Sequence, residues 1–142
     1  MKLRDVQEWL ASIGPRAPKA APFDEPVTLT YHESCHLVHG QKISRQPREL
    51  LRLLPGVSFV ELPESSWCCG SAGVYAITQP DQAEALMRRK TANIGSTGAT
   101  VVATANPGCQ LQIIRGLREA GGSALVLHPM SLLARAYRNE RG

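Results

Sequence analysis

A chain of 142 residues, 43% hydrophobic and 20% charged, has the size and balance of one globular domain that can bury most of its apolar surface unaided. A net charge of +4 and a pI near 9.1 are mildly basic. Aromatics are only 5%, and the densest basic run, Arg88-Arg89-Lys90, falls on a solvated helix face, which argues against a nucleic-acid partner.

In chain order, Leu3 to Ile13 has helical period, with Leu3, Val6, Trp9, Leu10 and Ile13 on one face. This N-terminal helix (residues 1–13) stops at Gly14-Pro15 and is expected to stand apart from the core. Residues 14–26, with PRAPKAAPFDEP, are a proline-rich linker or surface strap. From residue 27 to 142 the pattern is that of one domain. VTLTYH is a strand, SRQPRELLRLL a helix, and VSFVEL a second strand. Gln79-Pro80 opens a helix with Ala83, Leu86, Met87 and Ile94 on one face, and TVVATA is a third strand. A helix carrying Leu111, Ile114 and Leu117 follows, then the strand ALVLH and a last helix from Met130 to Tyr137. Strands alternating with helices predict an α/β fold, a mostly parallel sheet of about four strands in a Rossmann-like three-layer arrangement.

No apolar run approaches the ~20 residues of a membrane span. The start, MKLRDVQEWLASIG, has acidic residues and no secretory apolar segment. The chain reads as cytoplasmic, where thiols stay reduced, so its four cysteines need an explanation other than disulfides. Inert burial, metal ligation and catalysis are the candidates. Their placement favours the second. Cys35 follows strand one, Cys68 and Cys69 follow strand two, and Cys109 follows strand three. In a parallel sheet these loops emerge at one edge, the carboxyl edge, where open α/β sheets bind their ligands. Filler cysteines belong inside strands and helices instead.

The local sequences agree with a metal site. Adjacent residues of a regular strand point to opposite faces, so Cys68 and Cys69 need a sharp turn to serve one centre, which Gly70 and Gly73 permit. Asn106-Pro107-Gly108-Cys109 is a turn leading into a helix, whose N-terminus stabilises a thiolate for ligation or for reaction. His32, His36 and His39 crowd the Cys35 loop, more simply as polar surroundings than as ligands. His128 reads as a satisfied strand-end histidine, Trp67 as a roof over the site or a core aromatic, and Arg45 and Arg48 more simply as a solvated helix face than as an offset to an anionic cluster.

These motifs resemble the cysteine-rich "CCG" domain found in a heterodisulfide reductase subunit, in lactate-utilisation iron–sulfur proteins and in the glycolate oxidase iron–sulfur subunit. Thirty-two residues separate Cys35 from Cys68, and 39 separate Cys69 from Cys109. The phrases YHESCHLVHGQ, QPRELLRLLPG, WCCGSAGVY, NPGCQLQI and LHPMSLLA are most similar to the C-terminal portion of the glycolate oxidase subunit. The resemblance implies an iron–sulfur cluster held by Cys35, Cys68, Cys69 and Cys109, with Gly70, Gly73 and Gly108 shaping the ligand loops. It implies no catalytic acid or base in this chain, since glycolate would be oxidised to glyoxylate on a separate flavin subunit.

Two departures qualify what the resemblance implies. Gln112 stands where the reductase branch has a further cysteine, so a [4Fe–4S] cubane is expected rather than a non-cubane cluster. Ferredoxin-type motifs and a first CCG domain are absent, so the flavin subunit and those N-terminal iron–sulfur domains are expected partners. The assembly need not span a membrane, which leaves room for a peripheral place at the inner membrane. The alternatives are a zinc-binding or metal-free assembly domain, a lactate-utilisation or heterodisulfide-reductase type of redox subunit, and a thiol enzyme, the last weakened by the lack of a CxxC pair.

Overall fold

The computed structural model describes residues 3–71 and 75–142. Its sheet is all-parallel, in the order β2-β1-β3-β4, from β1 (Val27–His32), β2 (Val57–Phe59), β3 (Val101–Thr104) and β4 (Leu125–Leu127). Parallel neighbours cannot be joined by hairpins, so each connection is helical. A π-helical turn, His36–Gly40, and α2 (Arg45–Arg52) join β1 to β2, following α1 (Val6–Ile13) at the start of the chain. The short α3 (Tyr75–Thr78) and α4 (Pro80–Thr97) lead to β3, α5 (Pro107–Glu119) leads to β4, and α6 (Pro129–Asn139) follows.

Strand alternation divides the core into two layers. Leu29, Tyr31, Val101 and Ala103 face Leu50, Leu51 and Leu54 of the α2 segment and Leu132, Leu133 and Ala136 of α6. On the other face Val102 and Val126 meet Ile94 of α4 and Ile113 and Leu117 of α5, together with Cys69 and Cys109. The expected three-layer α/β architecture is therefore observed.

Three expectations are corrected in detail. The second strand ends at Phe59 rather than Leu62, because the Thr30 hydroxyl donates to the Val60 carbonyl (2.8 Å) and closes the ladder there. On α5 the inward face is Cys109, Ile113, Gly116 and Leu117, leaving Leu111 exposed. Close approach to α4 sets this rotation, since a Cβ on Gly116 would lie 2.5 Å from Thr91 Oγ1 and 2.8 Å from Met87 Cγ. The first helix does not stand apart either. It packs on α2, with Leu10 and Ala11 against the first core cluster and Gln7 buried, while Leu3, Val6, Trp9 and Ile13 are exposed.

The proline-rich segment is a strap fastened to α6. Arg16 forms a two-pronged pair with Glu140 (2.8 and 2.6 Å), and the Tyr137 hydroxyl donates to the Arg16 carbonyl. Asn139 Nδ2 donates to the Ala21 carbonyl (2.8 Å), and Phe23 packs on the core beneath the Arg135 guanidinium.

Candidate metal centre

The sheet order puts its switch point between β1 and β3, where the chain departs in opposite directions and leaves a crevice at the carboxyl edge. Cys35 sits there as the residue before the π-helical turn, a local irregularity frequent at functional sites. Cys68 and Cys69 lie on the loop that follows β2, and Cys109 lies in the first turn of α5. Asn106 caps that helix by accepting the Cys109 N–H (3.1 Å), which fixes where the thiol points from. All four cysteines are free thiols; Cys69 and Cys109 are buried, Cys35 and Cys68 half-buried.

Gly70 makes the double-cysteine turn. Its φ is +92°, and a Cβ would run into the Ala83 carbonyl oxygen of α4, so the loop is pressed against helix backbone. Its N–H donates to Cys68 Sγ (3.2 Å). The Ser71 hydroxyl lies between the inner thiols, 3.2 Å from Cys69 Sγ and 3.6 Å from Cys109 Sγ. Gly108 faces this serine, since a Cβ there would sit 3.6 Å from Ser71 Oγ. Gly73 lies outside the described residues.

The thiols act on one another electrostatically. Contact with Cys109, then the Ser71 hydroxyl, holds the Cys69 thiol below its ordinary value, while the same contact and burial push Cys109 up. The inner pair is thus linked, Cys69 giving up its proton more readily and Cys109 less. Burial, then the neighbouring Cys68 and Cys69, raises Cys35. Of the four thiols, only Cys69 and Cys109 belong to the set of ligand atoms lying within 4.8 Å of one another; Cys35 and Cys68 stand outside that set.

Three residues stand differently from their sequence expectation. His32, the last residue of β1, is wholly buried, and neither ring nitrogen has a hydrogen-bond partner among the described residues. A ring nitrogen of His32 and the sulfurs of Cys69 and Cys109 lie within 4.8 Å of one another. Lys90 is buried rather than solvated. Its Nζ donates to the carbonyls of Glu64 (2.6 Å) and Ser65 (3.4 Å), and burial lowers its pKa against the opposing pull of the nearby thiols. Arg48 likewise is not on a solvated face: it pairs with the buried Glu33. Burial alone would raise Glu33, but Ser44, Arg48 and Ser65 hold its carboxyl below the usual range. This network braces the chain on either side of Cys35 and ahead of Cys68.

The remaining candidates lie outside the cluster. Arg45 is exposed and pairs with Glu49 (2.8 Å), and His36 and His39 are exposed. His128 caps α6 by accepting the Met130 N–H (3.0 Å). Trp67 is half-exposed beneath the Arg89 guanidinium, 4.4 Å from the ring centre, and so is not a core aromatic.

Free thiols with a buried, unpartnered imidazole beside them are the soft donor set that iron–sulfur clusters and zinc both use. The model of the CCG cysteine-rich domain matches residues 29–114, which include all four cysteines. The chain belongs to that family. The CCG chain is 34% identical over 137 residues to a probable glycolate oxidase iron–sulfur subunit of Bacillus subtilis, covering 95% of this chain and 31% of that protein. It is 37% identical over 141 residues to a subunit of the CoM/CoB fumarate reductase of Methanothermobacter marburgensis, covering 99% and 28%. A lactate utilization protein A of Oceanobacillus iheyensis is 30% identical over 105 residues, covering 74% and 43%. The CCG chain thus spans less than half the length of these relatives. Among its described residues no helix is long and apolar enough to cross a membrane.

Proposed function

We propose that this CCG domain holds an iron–sulfur cluster on Cys35, Cys68, Cys69 and Cys109 and works as the electron-transferring portion of an oxidoreductase's iron–sulfur subunit. The observation that carries the reading is the approach of two buried free thiols, Cys69 after β2 and Cys109 at the start of α5, at the carboxyl edge of a parallel sheet, where the loop bearing Cys35 also emerges. The names of the relatives support iron–sulfur chemistry in particular. When bound, such a cluster supplies a one-electron carrier whose potential follows nearby charge and hydrogen bonds. The chain's own residues set both. Gly70 N–H donates to Cys68, and Lys90 Nζ is held by the carbonyls of Glu64 and Ser65 on the segment that leads to Cys68.

Residues 27–142 are the domain in this reading, with residues 1–13 and 14–26 as a helix and strap laid on it. Its finer form is a cytoplasmic glycolate oxidase subunit that receives electrons from a flavin subunit and uses a [4Fe–4S] cluster, with further iron–sulfur domains as partners. Reconstitution with iron and sulfide without oxygen is expected to give a brown protein that bleaches on reduction. Cys69→Ser is expected to lose the colour, because no spare cysteine stands near. A colourless protein holding one tight Zn²⁺ overturns the redox reading. Reduction of the centre by a flavin subunit with lactate but not glycolate moves the assignment to the other branch.

A further inference from the structure

His32 closes β1, and strand alternation puts it on the face shared by Val102, Cys69 and Cys109, opposite Tyr31. Its register partner is Thr104, the last residue of β3, so it stands at the switch point itself. The ring is wholly buried, yet neither nitrogen has a partner among the described residues. Buried polar groups are paired with few exceptions, and each exception calls for a cause. Neutral imidazole is also the commonest nitrogen ligand of protein metal sites. Here its nitrogen lies within 4.8 Å of two buried thiols that lie as near to each other, a span that one metal ion can bridge.

We propose that a ring nitrogen of His32 ligates metal together with Cys69 and Cys109, forming the buried floor of the centre, and takes the place of one of the half-buried thiols Cys35 and Cys68, since a cubane or a tetrahedral ion accepts four protein donors. The centre then has a mixed nitrogen and sulfur donor set instead of thiolates alone. What it holds rests on the proposed function; the ligand assignment does not, because any thiophilic divalent ion reports it. Nitrogen ligation to iron also raises a cluster's potential relative to thiolate, so the role has a redox consequence.

The test uses the full chain labelled with ¹⁵N-histidine, with two probes: iron and sulfide added without oxygen, and Co²⁺ alone. Pulsed electron paramagnetic resonance of the reduced iron protein is expected to show one strongly coupled nitrogen that shifts with the label. X-ray absorption of the Co²⁺ form is expected to show one nitrogen beside the sulfurs. His32→Ala and His32→Gln are each expected to weaken Co²⁺ binding by at least about tenfold. Measurements on the unsubstituted chain keep the proposal testable should either variant fail to fold. A brown protein with weakly coupled nitrogen only overturns the role of His32 and leaves the iron–sulfur reading intact. A colourless protein whose Co²⁺ has a nitrogen neighbour overturns the iron–sulfur reading and supports His32. Failure to bind either probe overturns both.

Discussion

Gly70→Ala tests whether the double-cysteine turn is held by contact with α4. The added Cβ would meet three backbone atoms of Ala83, the carbonyl oxygen nearest and the carbonyl carbon and Cα at 3.0 and 3.1 Å, and it would do so at a φ of +92°. A left-handed conformation at a residue bearing a side chain costs about 1–2 kcal/mol. Forcing a carbon into packed backbone adds about 1–3 kcal/mol, because helix backbone cannot swing aside as a side-chain tip can. The expected loss is therefore about 2–5 kcal/mol, a large share of a domain's stability. Gly98→Ala separates the two contributions, since Gly98 ends α4 at a φ of +69° with nothing within 4 Å of the added carbon. Urea unfolding of both variants without metal, at unchanged slope, is expected to place Gly70→Ala about 1–3 kcal/mol below Gly98→Ala. The variant is also expected to bind less iron, because displacing the turn from α4 moves the two cysteines that precede it. Equal losses for the two variants would refute the argument that backbone contact sets this loop.

Two further outcomes follow from the ion pairs. Arg48→Met strands the buried Glu33 carboxylate and is expected to cost about 3–5 kcal/mol in chemical unfolding. Adding Glu33→Gln should recover part of it, and no recovery would mean that the two side chains are not coupled. Glu140, held by Arg16 and the Lys19 N–H, has its pKa lowered from 4.5 to about 2. Its contribution is present above 4.5 and is lost as pH falls from 4.5 through about 2. Amide shifts of Ala21 and Phe23 are expected to move over that window, and in Glu140→Gln to show a loosened strap at neutral pH. Shifts that stay constant in both cases would disconnect the strap from this pair.

Much of the architecture was legible because it rests on local patterns. Continuous apolar strands, alternating helices and the topological rule for parallel sheets together carry Cys35, Cys68, Cys69 and Cys109 to one edge on sequence pattern alone. What periodicity could not show was which face a short helix turns inward. Around α1 the apolar stripe of Leu3, Val6, Trp9 and Ile13 faces out, because Leu10 and Ala11 make the contact with the core and Gln7 is the residue buried. On α5 the demand for a side-chain-free surface at Gly116 overrode the more obvious leucine-rich face. The buried charges were illegible for a different reason. Lys90 and Arg48 carry the residue types of a solvated surface, and only the carbonyls and carboxylate that surround them in the fold explain their burial. His32 was discounted among three loop histidines, though its place as the sixth residue of a β-strand, on the face opposite Tyr31, was the signal that sets it apart.

The stacking of Arg89 over Trp67 has an optical consequence. The indole is half-exposed, pinned by a guanidinium that is itself held by Glu64, and it immediately precedes Cys68 in the chain. Trp9 lies on α1, on the other side of the sheet from α4 and α5. The chain's two tryptophans therefore sense different places: one adjoins Cys68 in the chain, where a coloured centre would drain its fluorescence more strongly, and the other lies on a helix packed on the far layer. Binding of such a centre would then be read in the ratio of two intrinsic fluorophores, without any label attached to the protein.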